Sequence, residues 1–216
     1  MNKLTSVNEV IKKIKDGNSI MVGGFLKNGH PEVLVNALSD SEVKNLTIIS
    51  NDTGTTECAL YKVIANRQAS RIIASYIGAN PETGKLLMSG EADVQLFPQG
   101  TLAEKIRAGG AGLGGFLTPV GVGTIVEEGK QKLKVNEIEY LLELPLKADV
   151  ALIRAHKADK HGNLSFKGST RNFNAIMAMA ADYVAVEVEE YVDEIDPNHV
   201  VVPGILIDAI VKVGEA

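Results

Sequence analysis

The sequence predicts an α/β fold: an open, mostly parallel sheet with helices on both faces, built as a single domain over residues 1–216. Three observations predict it. Short apolar runs of strand length alternate with segments of helical period. Ile20 to Val22 is apolar at every position, as a buried strand covered on both faces is. Glycine-rich or turn-rich stretches follow directly on the strands, where open α/β sheets place their ligand-binding loops.

The elements follow in order. Ser6 and Glu9 form an S-x-x-E capping box for a first helix with apolar Val7, Val10, Ile11 and Ile14, and Gly17 suits its exit. Ile20 to Val22 make a short buried strand. Pro31 occupies the first turn of a second helix, whose apolar face is Val33, Leu34, Ala37 and Leu38. "LTIIS" at 46–50 is a strand, "TTECALYKVIAN" at 55–66 a helix, and "RIIAS" at 71–75 a third strand. "NPETGKLLMSG" opens with a cap and Pro81 at the first helical position. "DVQLF" at 93–97 is a fourth strand. "TLAEKIRAGG" is a helix opened by a second capping box, Thr101 to Glu104, and closed by glycines. Residues 109–126, "GGAGLGGFLTPVGVGTIV", are too glycine-rich for an ordinary element and read as a long ordered loop. "KLKVNEIEYLLEL" is a hairpin turning near Asn136. "ADVALIRA" at 148–155 is a buried strand, "GNLSF" a short strand, "NAIMAMAA" a helix and "YVAVEV" a strand.

Composition narrows the function. A chain of 216 residues buries roughly 70% of its unfolded surface and needs no staples. Cys58 is the only cysteine, so no intramolecular disulfide forms, which fits a reducing compartment. The N-terminal "MNKLTSVNEVIKKIKDG" lacks the apolar centre of a signal peptide, and no apolar run is long enough to span a membrane. The expectation is a cytoplasmic protein with no membrane partner. A formal charge of -5 argues against nucleic acid as a partner.

Gly110, Gly112 and Gly115 satisfy G-x-G-x-x-G, but they follow a helix instead of a strand, so the dinucleotide reading fails on context. There is no P-loop and no G-x-S-x-G elbow. His30, His156, His161 and His199 form no zinc-binding pattern, so no metal is expected. Cys58 sits among Ala59 and Leu60 and reads as a buried small hydrophobe. Strand alternation sends most of Glu139, Glu143, Glu187, Glu189 and Glu190 toward water. Glu57, after "NDTGTT", is the acid nearest the loop rim but shows no supporting polar shell.

The stretch "MVGGFLKNGHPEVLV" at 21–35 stands out. Its glycines leave main-chain N–H groups unobstructed, and the helix behind Pro31 adds partial positive charge. Gln99, in "PQGT", offers an amide at a second helix start. "MVGGF", "ISNDTG", "ASYIGANP" and "LFPQGT" all follow strands and are expected at one rim of the sheet. Both stations suit an oxyanion.

These residues resemble the family I CoA-transferase alpha subunits. "DGNSIMVGGFLKNGHP" at 16–31 is similar to the family signature, in which D-G and an apolar run precede G-G-F-x-x-x-G-x-P. "NLTIISNDTG", "PQGTLAEKIRAGGAG", "FLTPVGVGT", "ADVALIRAHKAD", "RNFN" at 171–174 and "VEVEE" at 186–190 continue the likeness over nearly the whole chain. It lies nearest the alpha subunits acting on acetate, butyrate and acetoacetate. The resemblance implies ping-pong covalent catalysis. A glutamate attacks an acyl-CoA thioester, a mixed anhydride forms, and the CoA thiolate converts it to a glutamyl-CoA thioester. A second acid then reverses both steps.

In that family the glutamate lies in a G-x-E-[NS]-G loop of the beta subunit, and no such stretch occurs here. The resemblance therefore implies no catalytic nucleophile in this chain, a beta partner in an α2β2 assembly, coenzyme A as substrate and no tightly bound cofactor. It implies CoA binding by Gly23, Gly24, Phe25, Leu26, Lys27, Asn28 and Gly29, and places Gln99 on the substrate carboxylate. Phe25 is expected to shield the anhydride from water, and Asn51 to donate a further hydrogen bond. Two alternatives stay open: an anion or sugar-phosphate sensor on a related scaffold, and a one-chain thioesterase or isomerase using Glu57.

Overall fold

The structure, a computed structural model, describes residues 3–214. The helices are α1 (Val7–Ile11), α2 (Glu32–Ser39), α3 (Ala59–Ala65), α4 (Pro81–Ser89), α5 (Gln99–Gly110) and α6 (Asn174–Met177). The strands are β1 (Ser19–Val22), β2 (Leu46–Ser50), β3 (Ala69–Ala74), β4 (Asp93–Leu96), β5 (Phe116–Thr118), β6 (Lys132–Val135), β7 (Ile138–Glu143), β8 (Ala148–Asp159), β9 (Leu164–Ser165), β10 (Ala181–Val192) and β11 (Ala209–Lys212).

The main sheet has the order β11-β10-β8-β1-β2-β3-β4, with every pairing along it parallel and β9 added antiparallel to β8. Period-two alternation divides the apolar strand residues between two cores. Ile20 and Val22 face a cluster completed by Leu34, Leu38, Leu60, Ile64 and Leu86 of α2, α3 and α4. Met21 faces the opposite cluster, with Leu102 and Ile106 of α5 and Met177 of α6. Helices thus cover both faces, as the alternation of elements predicts.

Several local expectations are corrected. Ser6 Oγ accepts from the Glu9 N–H at 3.3 Å, but the Glu9 carboxylate sits on Lys12 instead of closing a reciprocal box. Pro31 is the N-cap of α2 and not its first helical residue, and the buried face is Leu34, Val35 and Leu38, with Val33 and Ala37 only half-buried. Helix α3 begins at Ala59, after Cys58, and α6 stops at Met177. Helix α5 starts at Gln99, two residues early, so Thr101 lies inside it and Glu104 pairs with Arg107. There is no second capping box, because Pro98 fixes an earlier entry.

The 109–126 segment is not all loop. It contributes β5, the edge of a three-stranded antiparallel sheet β5-β7-β6, and a 3-10 turn at Ile125–Glu127. Asn136 and Glu137, both with positive φ, make the hairpin turn between β6 and β7. A Cβ on Gly109 would meet the Leu146 carbonyl oxygen at 1.9 Å, so that glycine permits close packing of chain segments. Of the five glutamates, Glu143 and Glu187 are 2% and 0% exposed. Glu187 lies on β10, between β8 and β11, where neither face meets water. Among the described residues, no helix is long and apolar enough to cross a membrane.

Candidate active site

Four rim loops meet as expected. A cavity of about 540 Å³ is lined by Phe25 and Leu26 after β1, Asn51, Asp52 and Thr55 after β2, Ser75, Tyr76 and Ala79 after β3, and Gln99 after β4. All lie at the carboxyl ends of parallel strands. Phe25 also borders a second hollow of about 550 Å³, which Lys27 and Asn28 line with it. A hollow of about 580 Å³ beside Phe166 and His199 gathers no such set of loops.

The loop after β1 is a tight two-residue reversal. The Phe25 and Asn28 N–H groups each donate to the other's carbonyl, at 2.9 Å. Leu26 takes positive φ, and its N–H donates to Asp52 Oδ2 at 2.8 Å. The Gly23 N–H donates to the Leu152 carbonyl at 3.0 Å. The expectation of a bare N–H ladder is thus reduced: among the described residues only the Gly24, Lys27 and Gly29 N–H groups of this loop make no hydrogen bond. Helix α2 is not the anion station either. Its leading N–H groups, on Val33 and Leu34, donate to Glu187 Oε2 at 2.8 and 3.1 Å.

Asn174, 0% exposed, clamps this loop from below. Its Nδ2 donates to the Gly29 and Thr170 carbonyls at 3.0 and 2.8 Å, and its Oδ1 accepts from the Arg154 N–H at 2.9 Å. A Cβ on Gly23 would lie 1.8 Å from Asn174 Oδ1, and one on Gly24 would lie 2.6 Å from the His30 ring. The glycines therefore admit protein side chains beneath the loop. His30 is 3% exposed and its Nε2 has no partner among the described residues. Burial pushes its pKa down, against the pull of Asp52 and Glu32, so the ring is neutral at neutral pH.

Asn51 does not donate into the cavity. Its Nδ2 donates to Asp52 Oδ2 at 2.7 Å, and its Oδ1 accepts from Gln99 Nε2 at 2.7 Å and Ser75 Oγ at 3.1 Å. It aims Gln99, which keeps a second N–H and its carbonyl oxygen for a ligand. Asp52 is fully used: Oδ2 takes two donors, and Oδ1 accepts from the Gly54 N–H at 2.9 Å. Glu57 forms an exposed ion pair with Lys27, and Cys58 is buried, as expected.

Glu187 is the unusual acid behind the site. Burial drives its carboxyl up to about 7, outweighing the Leu34 N–H, the Arg154 charge and the Val33 N–H, all of which favour ionisation. Arg154 Nη1 lies 3.5 Å from Glu187 Oε1 and donates to the His30 carbonyl at 3.4 Å, joining this acid to the glycine loop. Sequence reasoning missed Asp52, Ser75, Tyr76, Arg154 and Glu187 as parts of the site. Asn174 was visible only as the last letter of "RNFN" and the first of "NAIMAMAA".

The chain is similar to known proteins along its length. The family described as "Coenzyme A transferase" matches residues 4–213. The chain is 53% identical over 211 residues to the acetate CoA-transferase subunit alpha of Escherichia coli K12, covering 97% of this chain and 96% of that one. It is 54% identical over 200 residues to the acetoacetyl-CoA:acetate/butyrate CoA transferase alpha subunit of Clostridium acetobutylicum, covering 92% of each. Its fold matches the E. coli O157:H7 acyl-CoA transferase YdiF, solved as a thioester complex with CoA, with a TM-score of 0.88 and 22% identity. That match covers 100% of this chain and 48% of the YdiF chain.

Proposed function

The chain belongs to the Coenzyme A transferase family, and from that membership we propose that it is the alpha subunit of an enzyme moving CoA between a short-chain acyl-CoA and a carboxylic acid. Acetate, butyrate and acetoacetate are the acids named for its relatives and the ones proposed here. The observation that carries the reading is the cavity where Phe25 and Gln99 meet, with the free Gly24, Lys27 and Gly29 N–H groups beside it. The sensor alternative has no such support, because the relatives of comparable length are transferase subunits.

In this mechanism CoA enters past Lys27 and Asn28 and lies on the Gly23–Gly29 segment, its thioester reaching the cavity beside Phe25. Gln99, aimed by Asn51, binds the carboxylate that is to be activated. The nucleophilic glutamate comes from a beta subunit. The one carboxylate lining the cavity, Asp52, already receives three hydrogen bonds and is a poor nucleophile. That glutamate attacks the thioester carbon, and the CoA thiolate leaves. The thiolate then attacks the resulting anhydride, releases the first acid and leaves CoA on the glutamate. The second acid reverses both steps. Each tetrahedral oxyanion needs donors aimed at it, one of which is worth about 3–4 kcal/mol. The apolar ring of Phe25 keeps water from the anhydride. An α2β2 assembly, free of any tightly bound cofactor, completes the reading.

The test is reconstitution. The purified chain alone should show no CoA transfer, and a co-purified beta-type partner should restore it with ping-pong kinetics. Borohydride trapping should mark a glutamate of the partner. A modified glutamate in a peptide of this chain would refute the assignment.

A further inference from the structure

A second cavity begins at Phe97, two residues before Gln99 in the chain. Phe97 follows β4 directly, and its N–H donates to the Ala74 carbonyl, one residue before Ser75. Its ring floors a hollow of about 390 Å³ that is walled by Lys105 of α5, Lys130 and Glu143 at the end of β7. Lys105 Nζ stands 4.8 Å and Lys130 Nζ 5.4 Å from the centre of the ring. Lys105 Nζ donates to Glu143 Oε2 at 3.0 Å, and Lys130 Nζ donates to Glu143 Oε1. The side chains of Lys105, Glu143 and Lys130 are 8%, 2% and 19% exposed.

Two features of this cluster are incomplete. Two ammonium groups share one carboxylate, which leaves a formal excess of one positive charge in a largely buried place. Each ammonium carries three N–H donors and has one hydrogen-bond acceptor among the described residues. Buried donors without acceptors are costly, and the aromatic face below supplies charge stabilisation but no acceptor atom. An oxyanion in the hollow would supply both the missing charge and the missing acceptors.

We propose that this hollow is an anion subsite of the same enzyme, taking a carboxylate or phosphate group that the substrate carries away from its reacting carbon. The proposal rests on the transferase reading for the substrate's identity, but the binding itself does not. The location supports it. Lys105 is six residues beyond Gln99 on α5, a rise of about 9 Å, and side chains lean back toward a helix N-terminus. Lys105 therefore lies within one small-molecule length of Gln99. Two groups fit: the second carboxylate of a dicarboxylic acid, or a phosphate of CoA folded along the rim.

The first experiment is a titration of the assembled enzyme with inorganic phosphate, read by isothermal calorimetry, for wild type, Lys130→Gln and Lys130→Arg. Saturable binding weakened about tenfold by Lys130→Gln and kept by Lys130→Arg is expected. Absence of saturable binding, or binding indifferent to Lys130, overturns the site. The second experiment compares KM for succinate against acetate, and for acyl-CoA against the corresponding acyl-pantetheine. Lys130→Gln should raise KM about tenfold for one member of one pair only: succinate if the ligand is a carboxylate, acyl-CoA if it is a phosphate. Equal effects on all four substrates would overturn the substrate role and leave a brace between α5 and β7. If wild type transfers CoA between none of them, the transferase reading falls, while the phosphate titration still decides the site.

Discussion

Replacing Glu187 with glutamine should flatten the pH dependence of stability between about pH 4.5 and 7. The side chain is 0% exposed, and burial raises its carboxyl from the ordinary 4.5 to about 7. In that window the folded chain holds a proton that the unfolded chain has released. Stability therefore falls as pH rises. Below 4.5 both states are protonated and the contribution is whole; above about 7 the folded state carries a buried carboxylate and the contribution is gone. At about 1.4 kcal/mol per pH unit, the gap is worth about 3 kcal/mol. The α2 N–H groups and Arg154 favour ionisation, but their combined pull is smaller than the burial cost, which sets the sign. Urea unfolding of wild type and Glu187→Gln at matched pH values from 4.5 to 8 isolates this group, since the other titrations cancel in the difference. The stability difference, wild type minus variant, should drop by about 3 kcal/mol across the window. A difference that stays flat, or that rises with pH, would refute the argument and mean that Arg154 keeps Glu187 ionised throughout.

Three further outcomes follow from the site. Gln99→Ala should leave assembly intact and lower kcat/KM by about a hundredfold; unchanged steady-state kinetics would remove Gln99 from the reaction. Gly24→Val forces a branched residue into φ +118 with its Cβ against the His30 ring, so stability should fall by about 2 kcal/mol or more, and transfer with it. Native melting and normal turnover in that variant would mean that the loop refits without cost. Asn174→Ala strips partners from the Gly29 and Thr170 carbonyls and the Arg154 N–H, and should cost about 3 kcal/mol. Hydrogen exchange at residues 23–29 should rise in step, and exchange unchanged there would contradict the clamp.

The layered architecture was legible because its signals are local. "LTIIS" was placed to the residue, and Asn80 and Pro81 announced α4 through cap chemistry that needs nothing from the rest of the chain. Thr101 and Glu104 carried the same kind of signal and misled, because Pro98 had already set the helix start. Most of the five glutamates reach water as alternation predicts, and Glu143 and Glu187 are the exceptions, because alternation sends side chains to water only where one face of a sheet is bare. The 209–212 strand escaped notice: it is four residues long and gains its meaning from pairing with β10. In the site, the meeting of Phe25, Asn51 and Gln99 follows from strand order alone and was foreseen. The directions of their hydrogen bonds were not. Asn174 reaches a carbonyl 145 positions away, a contact that no window of sequence contains.

Strand β1 lies in the middle of the sheet, with β2 on one side and β8 on the other. Its β8 neighbour arrives late in translation: Ser19 bonds to Asp149 across a separation of 130 residues. A ribosome that has made only the first half therefore displays Ile20, Met21 and Val22 along an unpaired border, the kind of surface on which nascent chains stick to one another. Closing that border requires a long-range encounter, the slow kind. The strand that carries the glycine loop to the cavity is thus also a place where biosynthesis of this polypeptide is exposed to misassembly.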